Sequence, residues 1–125
     1  GYVTMGYGIP AALGARSAIP DRPIVALVGD GCFLMSGMEL ATSVQENLPI
    51  IVIVMNDGSL TLIKAIQQRR YDHRLLGVDL RNPALALFAK AFGVQHRRVE
   101  SGEQLGSAVR ESLGSETTVL IEVCL

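Results

Sequence analysis

The sequence has no tryptophan, only 5% aromatic residues, two cysteines and no excess of charge of either sign. The chain has 125 residues, and its 11 basic and 12 acidic residues give it a formal net charge of −1. Domains that bind nucleic acid usually carry a basic excess on one face. The shortage of aromatic side chains also argues against a platform on which bases stack. The composition therefore excludes an ordinary nucleic-acid-binding domain.

Metal-binding cysteine patterns and long apolar runs are missing as well. Cys32 and Cys124 have no metal-ligand spacing, and His73 and His96 are the only histidines. A zinc site of the Cys/His type is therefore not expected. Free thiols fit a reducing compartment, so we expect a cytoplasmic protein. No stretch reaches the roughly 18 apolar residues that a membrane-spanning helix needs, and we expect no membrane association.

The sequence is instead rich in apolar residues. They make up 49% of the chain, which is enough for the core of one domain and excludes intrinsic disorder. We therefore treat residues 1–125 as a single domain. Because the chain begins with Gly1 rather than Met and ends directly after an apolar run, we expect it to be a piece of a longer chain.

Three runs rich in Val and Ile lack polar alternation, which is typical of strands buried on both faces of a parallel sheet: 23–28, 49–55 and 118–123. Between and around them, amphipathic stretches predict helices over roughly 10–18, 37–46, 60–70, 83–92 and 103–113. Ser101 is a predicted helix N-cap, and Asn82 is another, with Pro83 at the first helical position. Residues 69–81 are charged and aperiodic, which predicts a surface loop. The alternation predicts an α/β fold with a doubly wound, mainly parallel sheet and helices on both faces.

Two of the predicted strands end in polar turns that contain glycine, GDG at 29–31 and NDGS at 56–59. The carboxyl ends of parallel strands meet at one edge of a sheet, so Asp30, Asn56 and Asp57 should converge there. Oxygen ligands, with glycines that let backbone amides approach, suit a magnesium ion that holds a diphosphate. Asp and Gly are also ordinary turn residues. The turns alone thus leave two interpretations open, a metal–diphosphate site and a plain pair of turns.

The order and spacing of these turns resemble the thiamine diphosphate signature, in which GDG is followed at a similar distance by Asn-Asn. Further segments resemble the acetolactate synthase group in particular: MGYGIPAALGA at 5–15, GDGCFLM at 29–35, ELAT at 39–42, ENLP at 46–49, GVDL at 77–80, FA at 88–89 and FG at 92–93. The resemblance covers essentially the whole chain. On it, the chain is identified as a member of the thiamine diphosphate-dependent enzymes, as their C-terminal diphosphate-binding domain.

The resemblance implies a ligand set for the metal. Asp30 matches the first magnesium ligand, and Asp57 stands where the family has the second Asn of the pair. The backbone carbonyl of Ser59 matches the third ligand. An Asp in place of Asn adds a negative charge beside the metal but keeps a hard oxygen ligand, so we still expect Mg²⁺ to bind. Catabolic acetolactate synthase-like branches of the family also carry Asn-Asp at this point.

The resemblance also implies how the organic cofactor is held. Met5 matches the bulky residue that supports thiamine diphosphate in its bent form, although Met5 without the motif would be interpreted as core filling. Val3 matches the backbone carbonyl that accepts a hydrogen bond from the 4′-amino group. Gly31 and Cys32 match residues whose backbone amides bind the diphosphate, and Gly29 completes the motif.

In this family the catalytic carboxylate comes from a separate pyrimidine-binding domain, usually of another subunit. No residue here matches its motif, so we expect no catalytic residue in this chain and no activity from the chain alone. The implied partners are the pyrimidine-binding domain, a second subunit in a homo-oligomer and a small 2-oxo acid substrate.

The implied function is that of a 2-oxo acid carboligase, which condenses decarboxylated pyruvate with a second 2-oxo acid. Two alternatives remain open: a thiamine diphosphate-dependent decarboxylase or oxidase, and a non-catalytic nucleotide-binding or interaction module. FAD in the parent enzyme is possible under this resemblance, but it cannot be recognised from this chain.

Other chemically active side chains receive structural interpretations. His73 and His96 are predicted to be surface residues rather than catalytic bases. Met35, Met38 and Met55 lie at helical or strand positions and are predicted to be core residues.

Overall fold

The computed structural model describes residues 4–125. Helices and strands alternate through this part of the chain: α1 (Gly8–Ala18), β1 (Val25–Gly29), α2 (Asp30–Ser36), α3 (Leu40–Gln45), β2 (Ile51–Asn56), α4 (Thr61–Arg70), α5 (Leu85–Ala91), β3 (Gln95–Val99), α6 (Gly102–Ser112) and β4 (Val119–Cys124). A short 3-10 turn, Gly37–Glu39, joins α2 to α3. None of the helices in this described part is long and apolar enough to cross a bilayer.

The four strands form one parallel sheet in the order β1-β2-β4-β3. The central strands β2 and β4 are two of the predicted apolar runs, and their side chains are buried on both faces because helices cover the sheet on each side. The chain moves across the sheet from β1 through β2 to β3 and then turns back to β4. Because crossovers between parallel strands are right-handed, the helix of this returning connection must lie on the face of the sheet opposite to α5. Helix α6 lies on that face.

The sheet therefore separates two apolar cores. On one face, α1, α2, α3 and α5 contribute to a core around the fully buried Phe33, whose ring meets that of Phe88 edge-on at a centroid distance of 5.3 Å. On the other face, Ala108 of α6 and its neighbours pack against the side chains of β2 and β4 that face this helix, such as Ile53 and Ile121. The predicted doubly wound α/β fold with helices on both faces is confirmed.

Two elements differ from the sequence-based prediction. The edge strand β3 was not predicted, because its sequence QHRRV is polar and only Val99 is fully buried. Helix α2 was not predicted either, because the GDG turn is itself the start of the helix, at Asp30.

The two predicted helix caps have opposite outcomes. Ser101 caps α6, since its Oγ accepts a hydrogen bond from the Gln104 backbone N–H at 3.2 Å. The predicted cap at Asn82 is wrong, because α5 begins later, at Leu85, with Ala84 in the cap position. The side chain of Asn82 instead turns toward the carboxyl edge of the sheet, where it binds Asp30.

Candidate functional site

The two polar turns lie side by side at the carboxyl edge of the sheet. In the register of β1 and β2, Gly29 pairs with Met55, so Asp30 and Asn56 leave their strands at the same level. The turns are in direct contact, because the backbone N–H of Gly58 donates a hydrogen bond to Asp30 Oδ2 at 2.9 Å. The structure thus brings Asp30 together with the segment that carries Asp57.

Asp30 is the most buried polar group of this edge, with only 3% of its surface exposed. Its Oδ1 accepts from the Gly31 N–H at 2.7 Å, and its Oδ2 accepts from Gly58 N and from Asn82 Nδ2 at 2.6 Å. No ion pair to Asp30 is found among residues 4–125, so N–H groups alone offset the burial of its charge. Each carboxylate oxygen has two lone pairs, and Oδ1 therefore keeps one for a cation.

Asp57 is exposed on the adjoining turn, and both of its oxygens hold the chain locally. Oδ1 accepts from the Ser59 N–H at 3.0 Å, and Oδ2 accepts from the Thr61 hydroxyl. Ser59 in turn donates through its hydroxyl to the Val78 carbonyl at 3.2 Å. The three residues proposed as ligands therefore belong to two turns whose backbone positions are fixed by hydrogen bonds.

Residues 77–80 clamp the second turn from outside. Leu60 N donates to the Val78 carbonyl at 2.7 Å, and Leu80 N donates to the Gly58 carbonyl at 2.7 Å. Gly58 has a φ of +67°, a conformation that glycine adopts without strain. Val78 is only 2% exposed, so this part of the predicted surface loop at 69–81 is buried and braces the site.

A chain of polar side chains continues from Asp30 across the sheet. Asn82 Nδ2 donates to Asn56 Oδ1 at 2.7 Å, and Asn56 Nδ2 donates to Glu122 Oε1 at 2.7 Å. Glu122 Oε2 is 3.0 Å from His96 Nε2. The surface prediction for His96 is wrong, since only 15% of its side chain is exposed; His73, by contrast, is exposed.

Sequence reasoning missed the roles of Asn82 and Glu122. The signal for Glu122 was a single charge inside the apolar run VLIEV of the last strand, where only a partnered carboxylate is stable. Asn82 gave no such signal, because Asn before Pro is equally typical of a turn or a cap.

Apolar side chains close the space around Gly31. A Cβ added to Gly31 would lie 2.4 Å from Leu60 Cδ2, 3.5 Å from Met5 Cε and 3.6 Å from Leu80 Cδ1. Met5 therefore does reach the site, and 38% of its surface is exposed there. The absence of a side chain at Gly31 is what allows this close approach.

The remaining residues implied by the resemblance are placed less tightly. Gly29 has open space beside its Cα, and Cys32 is half-buried against the first core. The backbone N–H of Gly31, which the resemblance implies as a donor to the diphosphate, donates to Asp30 Oδ1 in this structure. Val3 lies outside the described residues.

The methionines do not all fill the core as predicted. The prediction is wrong for Met35 and Met38, which are 63% and 65% exposed. Met55 packs half-buried against the second core.

The donor set at this edge fits magnesium better than a transition metal. No group of three His, Cys, Asp and Glu side chains that could hold a metal occurs in the described part of the chain. Asp30 and Asp57 supply hard oxygens only, and Mg²⁺ typically binds through one or two carboxylates and completes its shell with phosphate oxygens and water.

Comparison with known proteins shows the family to which the chain belongs. The family described as "Thiamine pyrophosphate enzyme, C-terminal TPP binding domain" matches residues 1–123. The chain is 38% identical over 123 residues to the acetolactate synthase of Bacillus subtilis, and this alignment covers 98% of this chain and 21% of that protein. It is also 38% identical over 124 residues to a probable 2-ketoarginine decarboxylase of Pseudomonas aeruginosa, covering 98% of this chain and 22% of the relative.

A solved structure gives the same result. The thiamine diphosphate-dependent 4-hydroxybenzoylformate decarboxylase of Rhodococcus jostii superposes with a TM-score of 0.88 at 28% identity, over 94% of this chain and 22% of that one. The chain thus spans about a fifth of the length of these relatives. It belongs to the family of thiamine pyrophosphate enzymes, as a C-terminal thiamine pyrophosphate-binding domain similar to that of the acetolactate synthases.

Proposed function

We propose that this chain is the diphosphate- and magnesium-binding domain of a thiamine diphosphate-dependent 2-oxo acid carboligase, in which decarboxylated pyruvate condenses with a second 2-oxo acid. The observation that carries the proposal is the buried carboxylate of Asp30, held by three N–H groups beside the turn of Asp57. A buried carboxylate without a cationic partner is costly. A divalent cation at this edge would supply the missing countercharge.

In this proposal Asp30, Asp57 and the carbonyl of Ser59 hold Mg²⁺, and the ion binds the diphosphate. The turns need little rearrangement for this, since the contact from Gly58 N to Asp30 already joins them. Asp57 would exchange one of its local hydrogen bonds, to Ser59 N or to Thr61, for the metal. Asp30 would remain oriented by the backbone N–H groups of Gly31 and Gly58, and Asp57 would keep one of its two local donors.

When bound, thiamine diphosphate would supply a carbon nucleophile for the carbonyl of a 2-oxo acid and an electron sink for the pair that stays behind when CO₂ leaves. This chain would provide the surface that holds it. Met5, Leu60 and Leu80 lie together beside Gly31 and would present an apolar surface to the cofactor. Gly29, Cys32 and Val3 would complete the binding surface.

The catalytic carboxylate, in this proposal, lies outside this chain. The chain would act together with a pyrimidine-binding domain and a second subunit of a homo-oligomer, and the chain alone would be inactive. The length of the relatives supports the presence of further domains, since each relative is about five times as long as this chain. The cytoplasmic location and any FAD in the parent enzyme stay predictions.

A second candidate function is a 2-oxo acid decarboxylase. It is supported by the two relatives whose names describe decarboxylases, of which the one from Pseudomonas aeruginosa matches this chain with the same identity and coverage as the acetolactate synthase. A non-catalytic module is less well supported, because both carboxylates of the proposed metal site are present.

Product analysis tests this proposal. The full gene product is incubated with pyruvate, thiamine diphosphate and Mg²⁺, and acetolactate is separated from acetaldehyde. We expect acetolactate from the wild type and none from Asp30→Ala or Asp57→Ala. Acetaldehyde as the main product would favour the decarboxylase, and unchanged turnover by both variants would contradict the proposed metal site.

A further inference from the structure

Asn82 lies between α4 and α5, far along the chain from both polar turns, yet its side chain joins them. Its Nδ2 is 2.6 Å from Asp30 Oδ2 and 2.7 Å from Asn56 Oδ1. One amide group therefore holds the end of β1 to the end of β2. No other side chain in residues 4–125 contacts Asp30 by a hydrogen bond.

The orientation of this amide follows from its neighbours. Ionised carboxylates only accept hydrogen bonds, so Glu122 requires the N–H of Asn56, which leaves Asn56 Oδ1 as an acceptor. Asp30 and Asn56 Oδ1 then both require N–H groups from Asn82. The two hydrogens of one NH₂ group satisfy both acceptors, and a flipped amide would set oxygen against oxygen in two places.

The fixed orientation leaves Asn82 Oδ1 as a buried acceptor. Among the described residues it is the buried side-chain polar atom that has no hydrogen-bond partner. A buried acceptor without a donor costs free energy, and such atoms in native proteins usually receive a water or a ligand. Because this oxygen belongs to the same amide that holds Asp30, the donor has to arrive beside the proposed metal ligand.

We propose that Asn82 is a positioning residue of the magnesium–diphosphate site. Its N–H fixes Asp30 so that the other carboxylate oxygen faces the ion, and its Oδ1 accepts a hydrogen bond from water that hydrates the ion. This inference rests on the proposed function. Partners that orient metal ligands typically contribute 10- to 100-fold to metal affinity.

The test compares metal binding by variants of the full gene product. Mg²⁺ is titrated calorimetrically at saturating thiamine diphosphate into the wild type, Asn82→Ala and Asn82→Ser. Gln45→Ala is the matched control, because Gln45 is an exposed amide whose side chain binds only the neighbouring Glu46. Mn²⁺ then replaces Mg²⁺, and the electron paramagnetic resonance spectrum of the bound ion reports its ligand geometry.

We expect Asn82→Ala to weaken Mg²⁺ binding by about 10- to 100-fold and to change the Mn²⁺ spectrum, while Gln45→Ala stays within about two-fold of the wild type. Asn82→Ser should weaken Mg²⁺ binding to the same extent, because serine is too short to replace both hydrogen bonds of the amide. If the alanine variant does not fold, the serine variant provides the test.

A folded Asn82 variant with the Mg²⁺ affinity and Mn²⁺ spectrum of the wild type would overturn the inference while leaving the proposed function intact. A wild type that binds no Mg²⁺ with thiamine diphosphate would overturn both.

Discussion

Gly31 offers a sharp test of the packing at the site, because its neighbour in the motif, Gly29, is a matched control. In Gly31→Ala the new Cβ would lie 2.4 Å from Leu60 Cδ2, whereas carbon atoms in contact lie about 3.5–4.0 Å apart. The backbone of Leu60 is held by its hydrogen bonds to Val78 and Lys64. The Leu60 side chain therefore has to leave its position by more than an ångström.

The magnitude follows from two opposing terms. Overpacking of this kind costs about 1–3 kcal/mol. Gly31 lies in helix α2, where alanine is favoured over glycine by about 1 kcal/mol. We expect a net loss of about 0–2 kcal/mol in the local free energy of unfolding.

Gly29→Ala should change this free energy by less than about 0.5 kcal/mol. Nothing lies within 4 Å of the added Cβ, and its φ of −78° and ψ of 160° suit alanine. At this position alanine is a weaker helix cap than glycine, which lowers the free energy of unfolding. It also reduces the conformational freedom of the unfolded chain, which raises the free energy of unfolding by a similar amount.

Amide hydrogen exchange of peptides from residues 25–60, measured in the full gene product, gives the local opening free energy. The same measurement in a Leu60→Ala background completes a double-mutant cycle. Because Leu60→Ala removes the clashing atom, Gly31→Ala should then cost nothing. Equal effects of Gly31→Ala and Gly29→Ala, or a cycle with no coupling, would refute this account of the packing.

Two further changes test the core and a helix cap by the same exchange measurement. Phe33→Ala should lower the free energy of unfolding by about 3–5 kcal/mol, because the ring is fully buried between α2 and the sheet. Leu34→Ala should lower it by less than about 1 kcal/mol, because that side chain is 42% exposed. Similar losses in the two variants would contradict the described core. Ser101→Ala should lower the stability of α6 by about 1 kcal/mol through loss of its bond to Gln104 N, whereas Ser107→Ala removes no cap and should not destabilise α6.

The fold was largely predictable where burial dictates sequence. β2 and β4 are buried on both faces and therefore read as unbroken apolar runs. The edge strand β3 escaped prediction because four of its five residues are polar and only Val99 is buried. Helix α2 escaped because its first residues are also good turn residues, and local pattern cannot separate a turn from a helix start.

The site was predictable to the extent that it depends on strand ends. Asp30 and Asp57 follow neighbouring parallel strands, and the topology alone brings such residues together. The link through Asn82 depends on a contact across 52 positions of the chain. No local pattern encodes such a contact, and the same holds for the bond between Asn56 and Glu122.

The most direct test of the central claim is a calorimetric titration of the full gene product with thiamine diphosphate, with and without Mg²⁺. The account predicts binding that requires Mg²⁺ and is abolished in Asp30→Ala, because the buried carboxylate is the proposed ligand that joins the ion to the sheet edge. Gln45→Ala should bind as the wild type does. Binding that does not depend on Mg²⁺, or that persists unchanged in Asp30→Ala, would contradict the account.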